Sequence, residues 1–184
     1  KGRHKTQLNG KRTPAYQAWW DMLRRCYSSK FQKENLTYIG CTVTKDWYDF
    51  QNFAEWFYCH EYSDKGYQLD KDLLFPDSKM YSPETCCFVP QKLNTLLLDS
   101  AAARGRHPLG VCFDKSRGKF QAQLKINGKS KYLGRFDTSG EAHQVYKAAK
   151  ERYVKNEALM WANRIEWNVF VALMSWSLAP CDGL

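Results

Sequence analysis

The chain has no Cys-x-x-Cys pair, and its seven cysteines are an odd number. That usage argues against a disulfide framework and for reduced, buried thiols. Cys41, Cys59-His60 and Cys86-Cys87 also lack the ligand spacing of a zinc module, so no zinc is expected. No Gly-rich phosphate loop and no Ser/His/Asp arrangement stands out, and His4, His107 and His143 are scattered. The C-terminal apolar stretch is broken by Arg164 and Glu166, which excludes it as a membrane span. There is no signal-peptide pattern, and the cysteine usage points to reduced cytosolic thiols. The chain starts at Lys1 without a methionine, so residues preceding it are expected.

Acid is scarce in two places. Before residue 13 stand Lys1, Arg3, Lys5, Lys11 and Arg12, with no Asp or Glu. Residues 104–135 hold nine Lys/Arg against the single acid Asp114. The net charge of +9 over 184 residues therefore sits in an arm and one later segment, and it favours a polyanionic partner. What is plentiful is core-forming material. Hydrophobic residues make up 43% and aromatics 15%, which excludes a disordered chain.

The most legible stretch is 109–156. Leu109–Phe113, Lys119–Ile126 and Lys131–Phe136 read as three short strands. Asn127-Gly128 is a hairpin turn, because both residues tolerate positive φ. Phe120, Ala122, Leu124 and Ile126 alternate with Lys119, Gln121, Gln123 and Lys125, giving one apolar and one polar face. Thr138 or Ser139 can cap the following helix, with Glu141 in its first turn. Ala142, Tyr146, Ala149 and Tyr153 recur at helical spacing and can cover the apolar face. The polar face is left open, with Lys115, Arg117, Lys129, Lys131 and Arg135 around it. A ribbon of this kind fits the major groove, where Gln reads adenine and Lys or Arg reads guanine or phosphate. The same pattern also fits a solvated antiparallel face.

Elsewhere the reading is coarser. Residues 1–12 look like a flexible basic arm that tracks phosphates or is simply disordered. Thr13-Pro14 starts a helix with Tyr16, Trp19, Trp20 and Leu23 on its apolar side. Arg24 and Arg25 either approach DNA or favour the helix C-terminus. Cys41–Thr44 is a short strand, and Asp46 can cap a helix whose Trp47, Phe50, Phe53, Ala54 and Phe57 form a core stripe. Leu69–Leu74 reads as a strand, Pro76–Ser78 turns it, and Lys79–Tyr81 returns. Cys86–Val89 is extended, and Pro90 opens a helix carrying Asn94. Residues 101–108 read as a linker in which Arg104 and Arg106 contact phosphate. Residues 157–178 read as a last helix that packs on the preceding module or offers a homodimer or protein-partner surface. The fold class is α+β: an arm (1–12), a module (13–100), the linker (101–108), a sheet–helix domain (109–156) and a C-terminal helix within 157–184.

Two family resemblances sharpen this. Gly110-Val111, Gly118–Phe120, Leu133-Gly134, Phe136–Thr138, Glu141-Ala142 and Tyr146 resemble the Apetala-type domain of plant ethylene-response factors. The resemblance implies base contacts from Gln121, Gln123, Lys125 and Tyr132. Plant members use mostly Arg and Trp where this chain has Gln, Lys, Ser130 and Tyr132. The second resemblance is to HNH nucleases of phage homing type. It rests on Trp19, Met22, Arg25-Cys26-Tyr27, the turn Tyr81–Glu84 and Cys86. It implies a ββα-metal module joined to the Apetala-type domain, double-stranded DNA as partner, and the cytoplasm of a bacterial host.

The chemistry that this second resemblance implies needs one Mg²⁺ or Mn²⁺ at the scissile phosphate, held by oxygen ligands. Asp70 and Asn94 are the implied ligands. The family places His after the metal-binding Asp, where this chain has Lys71. The family's central Asn is replaced by Thr85. Lys71 is thus either a base with a lowered pKa or a point charge for phosphate. Two functions remain open: a metal-dependent DNA endonuclease, or an inactive relative that binds DNA as a regulator or blocker.

Overall fold

The computed structural model describes residues 2–63, 65–97 and 107–178. Most of the expected linker, including Arg104 and Arg106, lies outside these residues. The fold class is α+β, as read. The chain divides into two units, Lys1–Thr95 with Trp161–Ala172, and Leu96–Met160 with Leu173–Leu184.

The first unit opens with a structure that composition alone did not reveal. Residues 7–12 form a hairpin, β1 (Gln7–Leu8) against β2 (Lys11–Arg12), turned by Asn9-Gly10 at φ 50° and 73°. The basic segment is therefore not a loose arm. The His4 amide donates to Gln51 Oε1 at 2.7 Å, Arg3 pairs with Glu55 at 2.9 Å, and the His4 ring stacks on Tyr58. Asn9-Gly10 carries the same turn signature as Asn127-Gly128, which is the signal that revealed the later hairpin.

Thr13 then caps α1 (Pro14–Tyr27) by accepting from the Tyr16 amide at 3.3 Å, with Pro14 in the first turn. A short α2 follows (Ser29–Glu34), then β3 (Thr42–Val43). The cap expected at Asp46 is instead Asp49. Residues Lys45–Tyr48 form a single 3₁₀ turn, and Asp49 accepts from the Gln51 amide to start α3 (Phe50–Cys59). The aromatic stripe is core as read: Trp47, Phe50, Phe53, Ala54 and Phe57 are buried with Met22, Cys26, Tyr81 and Phe88.

The region of 68–97 pairs differently from the expected hairpin. Strand β4 is Gln68–Asp70, and the chain leaves it at Lys71. β5 (Met80–Tyr81) does not return along β4. It pairs in parallel with β3, Thr42 opposite Met80. The antiparallel partner of β4 is β6 (Cys87–Val89), with Asp70 opposite Cys87. Helix α4 (Gln91–Leu97) follows directly. Strand–strand–helix order thus survives with a different second strand.

In the second unit, β7 (Val111–Asp114), β8 (Lys119–Ile126) and β9 (Lys129–Phe136) form an antiparallel sheet in that order. Asn127 and Gly128 turn β8 into β9 at φ 48° and 81°. Helix α5 (Ser139–Trp161) is capped by Thr138, not Ser139. The Thr138 hydroxyl accepts from the Glu141 amide at 3.2 Å, and Glu141 Oε2 accepts from the Thr138 amide at 3.3 Å. This reciprocal box satisfies two otherwise orphaned donors. Ala142 and Tyr146 pack on Ala122 and Leu124, covering the apolar face as read. α5 runs straight through the expected break at 156/157. A 3₁₀ turn (Ala162–Arg164) and α6 (Trp167–Ser175) follow, so 157–178 is not one helix.

Candidate functional site

Residues directly opposite across a β-ladder share a face. Cys112 opposes Gln121, which opposes Arg135. Gln123 opposes Tyr132, and Lys125 opposes Ser130. These residues, with Asp114 and Lys119, make the polar face. The alignment of Tyr132 depends on a bulge. The register steps from Ala122–Gly134 to Gln123–Tyr132 and leaves Leu133 unpaired. Gly134 supports it at φ 145°, a value L side chains rarely adopt. One consequence corrects the sequence reading. Lys131 opposes Leu124 and Lys129 opposes Ile126, so both belong to the helix-covered side and are exposed at its margin. Lys131 is not on the polar face.

A hydrogen-bonded relay crosses the polar face. Ser130 Oγ donates to Gln123 Oε1 at 2.9 Å, Gln123 Nε2 to Gln121 Oε1 at 3.3 Å, and Gln121 Nε2 to Asp114 Oδ2 at 2.7 Å. Arg135 meets the same carboxylate oxygen at 3.5 Å, and the Ser116 hydroxyl and amide donate to Oδ1. These donors, the Ser116 hydroxyl foremost, hold the Asp114 carboxyl below the usual carboxylate range. Lys119 pairs with Asp137. Lys115, Arg117 and Lys125 have no ion-pair partner among the described residues and are exposed. Sequence reasoning found the glutamines and cations but missed the organising roles of Asp114 and Ser130. Asp114's isolation among nine cations was the available signal.

In the first unit, Asp70 closes β4 and is partly buried. Its Oδ1 accepts from the amides of Asp72 at 2.9 Å and Leu73 at 2.8 Å, so the carboxylate caps the turn that ends the strand. Burial pushes its pKa up, with the Asp72 carboxylate adding to the shift against those two amides. Asn94, on α4, donates Nδ2 to Gln68 Oε1 at 2.7 Å. Gln68 and Asp70 alternate on one side of β4, so Asn94 meets that side one pleat away from Asp70, at a residue sequence reasoning did not single out. Asp70 Oδ2 and Asn94 Oδ1 are the oxygens left to offer a hard cation. Among the described residues no group of three or more His, Cys, Asp or Glu side chains gathers as a metal cluster.

Lys71 is buried, which disfavours the point-charge alternative of the sequence reading. Its side chain is 4% exposed, and its amine donates to the Ser78 carbonyl at 3.0 Å and pairs with Asp72. It is turned into the fold. Thr85 likewise holds local structure: it donates to the Met80 carbonyl at 2.7 Å and accepts from the Ser82 amide at 3.1 Å. Arg25 is also committed inward, donating to the Leu69 carbonyl at 3.4 Å. Arg24 pairs with Asp21 at 3.2 Å and lies over the Trp20 ring at 5.1 Å. The Cys26 and Cys86 thiols are both pushed up to about 12 by burial, which makes them inert packing groups.

No protein-family model, curated protein or solved structure matches the chain. Among the described residues no helix is long and apolar enough to cross a membrane.

Proposed function

We propose that this chain is a sequence-preferring double-stranded DNA-binding protein of phage homing-endonuclease type. It reads the major groove with the polar face of β7–β9. The observation that carries the reading is the relay from Ser130 to Asp114, which holds two glutamine amides in place on a face flanked by Lys115, Arg117 and Lys125. A merely solvated face has no need of side chains fixed in this way, whereas base readout gains from them because ordering costs are met before binding. The resemblances to Apetala-type and HNH proteins support the same partner and a bacterial host cytoplasm as its setting. The test is a fluorescence titration with duplex DNA across salt. Affinity is expected to fall by orders of magnitude between roughly 50 and 200 mM salt as phosphate contacts release counterions. Absence of binding to any duplex at low salt overturns the proposal.

Cleavage is the second reading, supported by the strand–strand–helix unit that carries both Asp70 and Asn94. Asp70 and Asn94 carry oxygens of the kind Mg²⁺ or Mn²⁺ takes, and an ion held there, mostly by water, would polarise the scissile phosphate. The inward Lys71 amine, committed to Asp72 and the Ser78 carbonyl, is not free to take a proton from water, which favours the binding-only form. Incubation with supercoiled plasmid and either ion decides the matter. Nicking that disappears in Asp70→Ala, with DNA affinity retained, supports a nuclease. An inert protein leaves the regulator or blocker.

A further inference from the structure

We propose that Asp114 sets the donor–acceptor polarity of Gln121 and Gln123, so that the sheet reads two adjacent adenines in the major groove. The inference rests on the DNA-binding reading above. An ionised carboxylate only accepts hydrogen bonds, so Gln121 must turn Nε2 toward Asp114. Its Oε1 then faces Gln123 and accepts from that residue's Nε2. Gln123 Oε1 in turn accepts from Ser130. A serine hydroxyl at the far end serves as donor or acceptor equally well, so only Asp114 fixes the direction of the chain.

Counting what remains on each amide identifies the ligand. Gln121 keeps one N–H and one oxygen lone pair for an outside partner. Gln123 keeps one lone pair and an N–H held only by a weak contact to Cys112 Sγ at 3.8 Å. One donor beside one acceptor matches the major-groove edge of adenine, with its N7 acceptor and N6 amine. Spacing sets the register. Alternate residues of a strand are about 7 Å apart at the backbone. Here the two heads are drawn together, Nε2 to Oε1 at 3.3 Å, close to the roughly 3.4 Å rise between stacked bases. The two amides therefore address neighbouring base pairs. Without Asp114 the heads can flip and present donor and acceptor in the opposite order.

The experiment is selection of the full chain against a pool of randomised duplexes, followed by titration of matched and mismatched sites. Wild type is expected to enrich adjacent adenines, and replacing either one should weaken binding roughly tenfold. Asp114→Ala is expected to erase the preference at both positions while affinity for mismatched duplex holds or rises, since a negative charge is removed. Ser130→Ala should weaken the preference at one position only. A purely structural role for Asp114 would lower affinity for matched and mismatched DNA alike and reduce thermal stability, and that result overturns the inference. So does a wild type that binds DNA without adenine enrichment, or an Asp114→Ala protein that keeps the preference; in both, the DNA-binding reading survives. If Asp114→Ala does not fold, Asp114→Asn, which keeps the shape but offers a donor beside its acceptor, is read by the same two outcomes. Absence of any duplex binding overturns the functional reading itself.

Discussion

At position 71 a lysine amine is folded into the protein, and its neighbours define its role. It bonds the Ser78 carbonyl, pairs with Asp72 and lies 5.7 Å from the centre of the Tyr81 ring. Lys71→Met keeps the stem and removes the amine, leaving the Ser78 carbonyl without its donor at a half-buried position. The expected cost is about 1–3 kcal/mol in urea unfolding, with DNA affinity unchanged. A loss of DNA affinity without a loss of stability would return Lys71 to the surface chemistry the sequence suggested. Asp70 gives a second residue-scale prediction. Burial raises its folded pKa above the unfolded value, so the folded state holds this proton more tightly. Its contribution to stability is full below the unfolded pKa and is lost as pH rises through the folded one. Asp70→Asn, neutral at every pH, should therefore flatten the stability profile across the acid range, as read by unfolding at a series of pH values. Divalent-ion affinity at Asp70, if present, should climb with pH through the same window.

At the scale of elements, the sheet–helix unit depends on close approaches that local propensity does not set. Gly110 precedes β7 at φ 78°, and a Cβ there would sit 2.0 Å from the Tyr146 ring of α5. Gly110→Ala must both strain the backbone and displace a buried tyrosine. A loss of about 3 kcal/mol or more is expected, seen as lower thermal stability with weakened DNA binding. An unchanged melting temperature would mean that α5 does not pack on the sheet as described. Much of this unit was legible beforehand, because its signals are local: period-two alternation in β8, Asn127-Gly128, and Thr138 three residues before Glu141. The hairpin of 7–12 had an equally local signal in Asn9-Gly10, masked by a charge pattern typical of flexible arms. The pairing of β5 with β3 was not legible. Two-residue strands carry almost no periodicity, and their partners are set by which backbone groups remain unpaired once the aromatic core has formed.

For the whole molecule, charge is the property that sequence composition and structure share. The cations of the hairpin and those of the sheet belong to different units, so their parts in the proposed DNA binding can be tested separately. Lys125→Gln is expected to lower the slope of log affinity against log salt by about one. Lys11→Gln, on the hairpin, tests the other unit in the same assay. An unchanged slope for Lys11→Gln would confine phosphate contact to the sheet unit. The sequence by itself determined the α+β class, the aromatic core, a helix start at Thr138 or Ser139, and the alternation that separates an apolar from a polar sheet face. Each of these follows from periodicity and propensity within a few residues. Tertiary structure alone decided that Lys71 faces inward, that Asn94 meets Gln68, that a bulge carries Tyr132 onto the polar face and leaves Lys131 off it, and that Gln121 bonds Asp114. Those outcomes depend on register and on which distant polar groups must be satisfied together, and neither is written in any short stretch of chain.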